Sequence, residues 1–370
     1  MKLAIIRQRY NPFGGAERFV ERALAGLART DLDVTLITRR WNGEAGRYGM
    51  ELCDPPYLGS TWRDYAFARA AEAAVARGGY DLVQSHEKIA CCDIYRAGDG
   101  VHRAWLARRA RQMGPAGRLW LRANLFNHYT LGAEDALYRS PRLRAVVCIS
   151  ELVRRDIQAH FPIDSERLPV IYNGIDTSLY HPGLRADAAT VRAAHGIPAE
   201  VPLFLFVGSG YERKGLAPLL RALPPEAWLL VVGKDKQEKA YRALAEQLGI
   251  ASRVRFLGPQ HNVRPFYGAA DAFAFPTIYE PFGNVILEAM ACGLPVVTTP
   301  DCGGAELLQE GRSGFVRPTG DSEGLREALM RLCDTGFARQ LGDEAARTAA
   351  GYSVSLMTER MIGLYRTLLA

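Results

Sequence analysis

No apolar run in these 370 residues approaches the ~20 needed for a helix to cross a bilayer. The opening, Met1-Lys2-Leu3-Ala4-Ile5-Ile6-Arg7, is too short for a secretory leader and continues as a strand pattern. A cytoplasmic protein is therefore expected. Cysteine is sparse: seven residues, an odd number, at spacings that suit neither a disulfide framework nor a zinc site. The adjacent pair Cys91-Cys92 reads as core filler. There is no low-complexity tract to suggest disorder and no repeat with a period of about 20–50 residues, which excludes solenoids. No acidic residue occurs between 101 and 133.

What is present is an ordinary globular composition, 48% hydrophobic and 23% charged, in a chain too long for one core. Charge is unevenly placed. Residues 1–172 hold 26 Lys and Arg against 19 Asp and Glu; the remainder holds 20 against 21, so the first part should meet an anion. Apolar strand-like runs alternate with helical patterns in both parts, which predicts parallel βαβ units. In the first part the strands are Leu3–Ile6, Val34–Ile37, Leu82–Ser85 and Ala145–Ile149; in the second they begin at Leu203. Between them, around Asn173-Gly174-Ile175-Asp176 and on to Pro202, strand signal lapses among Pro182, Gly183, Gly196 and Pro198, as in a linker.

The organising stretch is Glu280-Pro281-Phe282-Gly283-Asn284-Val285-Ile286-Leu287-Glu288, after the apolar strand 271–276. Pro281 and Gly283 keep Glu280 on the loop, and Gly283 to Val285 open a helix. The N–H groups and dipole of a helix start favour an anion. Glu288, about one turn in, leans back toward that start and can accept hydrogen bonds from hydroxyls beside a bound phosphate. A lone glutamate in a first helical turn, however, commonly just complements the dipole. A second cluster, Gly208-Ser209-Gly210-Tyr211-Glu212-Arg213-Lys214-Gly215, follows strand Leu203–Val207 and brings two cations to the carboxyl edge of the sheet, where open α/β folds bind ligands. It lacks the third glycine of a dinucleotide fingerprint.

Together these residues resemble the Glu-x7-Glu motif and phosphate-holding Arg-Lys pair of retaining glycosyltransferases of family 4, with the GT-B fold of two Rossmann-like domains facing a cleft. The resemblance covers nearly the whole chain. It implies that Glu288 holds the nucleotide ribose, that Glu280 faces the donor sugar, and that Arg213, Lys214 and the N–H groups of Phe282, Gly283, Asn284 and Val285 hold the diphosphate. It implies an acceptor-binding domain over 1–172, a linker over 173–202, a donor-binding domain over 203–353, and a last helix, 354–370, crossing back to the first domain. Phe13-Gly14-Gly15, at the first strand-to-helix turn, is similar to a loop that touches the diphosphate or the acceptor, with Glu17 and Arg18 as weaker candidates; alone it is a tight turn. Asp99, in Gly98-Asp99-Gly100, reads equally as a turn residue, and the resemblance places it near the reacting carbon with His86 and His102 behind it. Glu306 is a minor candidate for the donor pocket. Asp31-Leu32-Asp33 only mimics a metal-binding Asp-x-Asp: it lies in a helix-to-strand turn at the amino end of the sheet. No metal or cofactor is called for in this family's front-face reaction, in which the leaving diphosphate takes the acceptor's proton.

Within the family, the Asn-Pro-Phe-Gly-Gly opening, the Asp99 loop and the basic insertion look most like lipopolysaccharide core glucosyltransferases. A UDP-hexose donor and a glycolipid or oligosaccharide acceptor are expected. Residues 101–133 carry Arg103, Arg108, Arg109, Arg111, Arg118 and Arg122 among Trp105, Leu106, Leu119, Trp120, Leu121 and Leu125. They read as amphipathic helices for an anionic inner-leaflet surface. No nucleic-acid motif is present. Two rival readings stand: a nucleotide-sugar epimerase on the same fold, and a non-catalytic protein of the membrane surface.

Overall fold

A computed structural model of the chain describes residues 1–9, 33–41 and 48–370. Two six-stranded sheets, parallel throughout, form separate units. The first contains β1 (Lys2–Ile6), β2 (Asp33–Thr38), β3 (Gly49–Leu52), β4 (Leu82–Ser85), β5 (Ile94–Arg96) and β6 (Ala145–Val147) in the order β3-β2-β1-β4-β5-β6. The second contains β7 (Leu203–Val207), β8 (Trp228–Val232), β9 (Val254–Gly258), β10 (Ala272–Phe275), β11 (Val296–Thr298) and β12 (Gly314–Val316). Its order, β12-β11-β10-β7-β8-β9, repeats the first. The inner strands are apolar on both faces because helices cover both; all five residues of Leu203–Val207 are buried. In each sheet the chain works outward from a central strand, then returns to that strand's other side. This reversal falls between β1 and β4 and between β7 and β10, and it opens a crevice beyond the strands' carboxyl ends.

The first unit comprises 1–172 and 354–370. Helix Val354–Leu369 sends Met357, Met361 and Tyr365, four residues apart and so on one helical face, into the core with Leu3, Ile5, Val34 and Ile94. Residues 173–202, read above as a linker, instead fold with the second unit. They include helix Ala188–Ala194, whose buried Arg192 pairs with Asp271 at 2.7 Å and donates to the Ala269 carbonyl at 3.0 Å. Prolines and glycines erase the strand period there without preventing packing.

The basic insertion forms helices His102–Arg111, Pro115–Ala123 and Leu125–Tyr138. The first has no acidic residue of its own in its opening turn. Glu134, fully buried, supplies the cap from outside: its two oxygens accept the backbone N–H groups of His102 (2.5 Å) and Arg103 (3.2 Å). Arg103 pairs with Asp135 and Arg108 with Asp156, each at 3.0 Å, through acids beyond the segment. Arg111, Arg118 and Arg122 are exposed beside the exposed Leu119, Trp120 and Leu125.

Candidate functional site

Two loops of the second unit meet at its topological reversal. After β7 the chain makes one helical turn, Tyr211–Lys214. Tyr211 anchors it: its N–H donates to Asp235 at 2.7 Å and its hydroxyl to the Gly233 carbonyl at 3.1 Å. Gly215 ends the turn at φ +78°, and a Cβ there would lie 1.9 Å from the Pro276 carbonyl oxygen, so no side chain is tolerated. The second loop follows β10. Its Thr277 hydroxyl and Ile278 N–H donate to the Arg213 carbonyl at 2.7 and 2.9 Å, which ties the loops together.

This register brings the two cations and Glu280 together. Lys214 Nζ contacts the Glu280 carboxylate, Arg213 Nη1 lies 3.5 Å from the same oxygen, and the ammonium sits 4.9 Å from the Phe275 ring centre. Burial first, then the Arg213 charge, pulls the Lys214 pKa well below its usual value, with the Cys302 thiol opposing the shift. Glu280 is held by its backbone, whose N–H donates to the Asp301 carbonyl and whose carbonyl accepts from Gly303, both at 2.9 Å.

Three residues on, Gly283 at φ +81° caps helix Asn284–Ala291 and offers no side-chain oxygen to its first turn. The Phe282 carbonyl accepts the Gly304 N–H at 2.6 Å, which fixes the 303–307 turn, with Glu306, against this helix start. Asn284 accepts from Asn173 at 2.5 Å. Val285 and Glu288 lie on the helix; Glu288, 3% exposed, accepts a hydrogen bond from the Tyr267 hydroxyl at 3.0 Å. The structure therefore brings Arg213 and Lys214 onto Glu280, with Phe282 and Gly283 leading into the helix on which Asn284, Val285 and Glu288 lie. That arrangement suits a diphosphate with hydroxyls beside it.

In the first unit, Asp99 lies on the turn after β5, half-exposed, with Oδ2 3.9 Å from Arg7 Nη1; Glu87 lies 3.4 Å from the same nitrogen. Buried His86 belongs to a chain in which Tyr365 donates to Gln84 (2.8 Å) and the Gln84 amide meets His86 Nε2 (3.0 Å). Burial and the nearby Arg96 and Arg7 charges hold this imidazole well below its ordinary pKa. His102 is pushed down to about 4 by burial and by Lys88, and its Nε2 lies 3.1 Å from Asn127 Oδ1. Gly14, Gly15, Glu17, Arg18 and Asp31 fall outside the described residues. Asp33 opens β2 at the sheet's amino end, away from the crevice.

Sequence reasoning missed Thr277 and Tyr267. Their signals are weak: a threonine in a loop, and an aromatic within the apolar Pro265-Phe266-Tyr267, which reads as core.

Two family models divide the chain. One described as Glycosyltransferase Family 4 matches residues 13–179, and one described as Glycosyl transferases group 1 matches residues 187–348. With the doubled parallel fold, they define the class: the chain is a glycosyltransferase of GT-B fold and belongs to this family. Among its relatives is the lipopolysaccharide glucosyltransferase WaaG of Escherichia coli K12, 29% identical over 358 residues that span 94% of this chain and 93% of that protein. The solved structure of WaaG, a glycosyltransferase involved in lipopolysaccharide biosynthesis, matches with a TM-score of 0.83 at 25% identity, covering 97% of this chain and 98% of that one. HepE of Anabaena, solved in complex with UDP-glucose, shares the fold with a TM-score of 0.75 at 23% identity, over 99% and 100% of the two chains.

Proposed function

We propose that the chain transfers a hexose, with glucose the first choice, from a UDP-sugar to a glycolipid of the lipopolysaccharide inner core, with retention of configuration and no required metal. The observation that carries this reading is the convergence of Arg213, Lys214 and the helix start at Asn284 on Glu280, at the reversal point of the second sheet. The diphosphate sits on the helix start and the two cations. Its negative charge favours the protonated form of Lys214 that burial disfavours, so the ammonium is most effective as the leaving group gains charge. Glu288 accepts the ribose hydroxyls, and Glu280 orients the donor sugar while positioning Lys214. The diphosphate oxygen that departs takes the acceptor's proton on the same face, and Asp99 positions the acceptor. The names of WaaG and of the UDP-glucose-bound HepE support the choice of donor and acceptor.

The decisive assay offers UDP-, GDP- and ADP-sugars with truncated lipopolysaccharides and follows transfer by mass spectrometry. Transfer from a UDP-hexose is expected. Interconversion of the free donor without acceptor would instead make the protein an epimerase, and failure to bind UDP would leave only a membrane-surface protein.

The acceptor's lipid places the enzyme on the cytoplasmic side of the inner membrane. The exposed Arg111, Arg118 and Arg122 beside Leu119, Trp120 and Leu125 fit anionic headgroups and their acyl boundary. Replacing these three arginines with serine is expected to release the protein from phosphatidylglycerol vesicles while sparing donor hydrolysis. Unchanged sedimentation with vesicles would remove the membrane role.

A further inference from the structure

We infer that Tyr267 is a positioning residue for nucleotide recognition: its hydroxyl fixes the Glu288 carboxylate in the orientation that accepts the donor's ribose hydroxyls. The inference rests on the donor reading above, and it names a residue on a different element, helix Arg264–Ala269.

Both partners are buried, Tyr267 at 0% and Glu288 at 3% exposure, and the hydroxyl donates to Oε2 at 3.0 Å. The Val285 carbonyl, at 3.5 Å, is a marginal second acceptor. The ring has little freedom to swing. The Tyr180 ring meets it edge-on with centroids 6.0 Å apart, and Phe273 of β10 packs at 5.9 Å. Burial and the Glu288 charge drive the phenol's pKa well above 10, so it stays a donor at neutral pH. A glutamate has several rotatable bonds, and each group that holds it narrows the orientations it samples. A charge-assisted hydrogen bond from a rigid phenol restricts the carboxylate at Oε2, and a carboxylate has acceptor capacity beyond one such bond.

A hydrogen bond that merely satisfies a buried carboxylate would affect every nucleotide alike. A positioning bond changes the preference for ribose over deoxyribose. The test is titration calorimetry of the full chain with UDP and 2′-deoxy-UDP, for the wild type, Tyr267→Phe, Glu288→Gln and the double variant, with melting temperatures read alongside. Phe keeps the ring and its packing. The wild type is expected to prefer UDP by about tenfold or more, the scale of one hydrogen bond to a charged group. Glu288→Gln should remove most of that preference. Tyr267→Phe should cut it at least about threefold, leaving 2′-deoxy-UDP affinity little changed, and the double variant should lose no more than Glu288→Gln alone.

An unchanged UDP preference in Tyr267→Phe, or equal weakening of both nucleotides, overturns the inference while leaving Glu288 in place. A preference that survives Glu288→Gln, or that is absent from the wild type, removes the ribose role itself and the inference with it.

Discussion

Lys214 is under opposed demands. Burial and Arg213 disfavour its charge; the contacting Glu280 carboxylate and, on the proposed function, an incoming diphosphate favour it. Lys214→Met would keep the buried stem and remove the ammonium. Transfer is expected to fall about a hundred- to a thousandfold, the scale of losing one preorganised stabiliser of developing negative charge, as read from initial rates of UDP release. His102 makes a different prediction. Its pKa is about 4 in the folded chain against 6.5 for the unperturbed side chain. The unfolded state therefore binds the proton more readily between these values, so stability is greatest above pH 6.5 and falls as pH drops toward 4. A His102→Gln variant, whose amide still reaches toward Asn127, should lose less melting temperature between pH 7 and pH 5 than the wild type. Parallel curves for the two proteins would show that other groups set the acid limit.

At the scale of elements, the crevice depends on two loops approaching backbone to backbone. Gly215→Ala combines a left-handed backbone with a Cβ inside contact distance of Pro276. It should cost more than the ~1–2 kcal/mol of the backbone term alone, and displace Thr277 and Ile278 from the Arg213 carbonyl. Gly249→Ala is the control: φ is +69° but nothing lies within 4 Å. Urea denaturation should show a larger loss for Gly215→Ala, and only that variant should lose UDP binding. Much of this architecture is legible in the sequence because it is local. Apolar runs buried on both faces announce the strands, and Gly283 between Glu280 and Glu288 marks the loop-to-helix join. What is not legible is carried by distant partners. Glu134 caps a helix that begins 32 residues earlier in the chain, Asp135 and Asp156 take Arg103 and Arg108 from the basic face, and Tyr267 reaches Glu288 across 21 residues. The 173–202 stretch reads as a linker because its prolines and glycines speak only of local backbone, whereas Arg192 docks on Asp271 through the fold.

At the scale of the molecule, sequence and structure divide alike: the first 172 residues carry the positive excess and fold on one sheet, and the near-neutral remainder folds on the other. The exception is the last helix, which belongs to the first sheet's core. Met361, 4% exposed there, makes a direct probe. Met361→Ala should lower the first unit's stability by about 2–5 kcal/mol, in line with buried methionine truncations elsewhere, and UDP affinity, a property assigned to the second unit, should hold. A matching loss of UDP affinity would couple the two units' stabilities.

That returning helix sets an order of events during synthesis. Residues 173–353 leave the ribosome before 354–370, so the second unit has its whole sequence available while the first still lacks Met357, Met361 and Tyr365. Until that helix has emerged, the nascent chain carries an unfinished apolar surface over Leu3, Ile5 and Val34. Chaperones that bind hydrophobic surface should therefore dwell longest on the first unit, and release it only once helix Val354–Leu369 arrives.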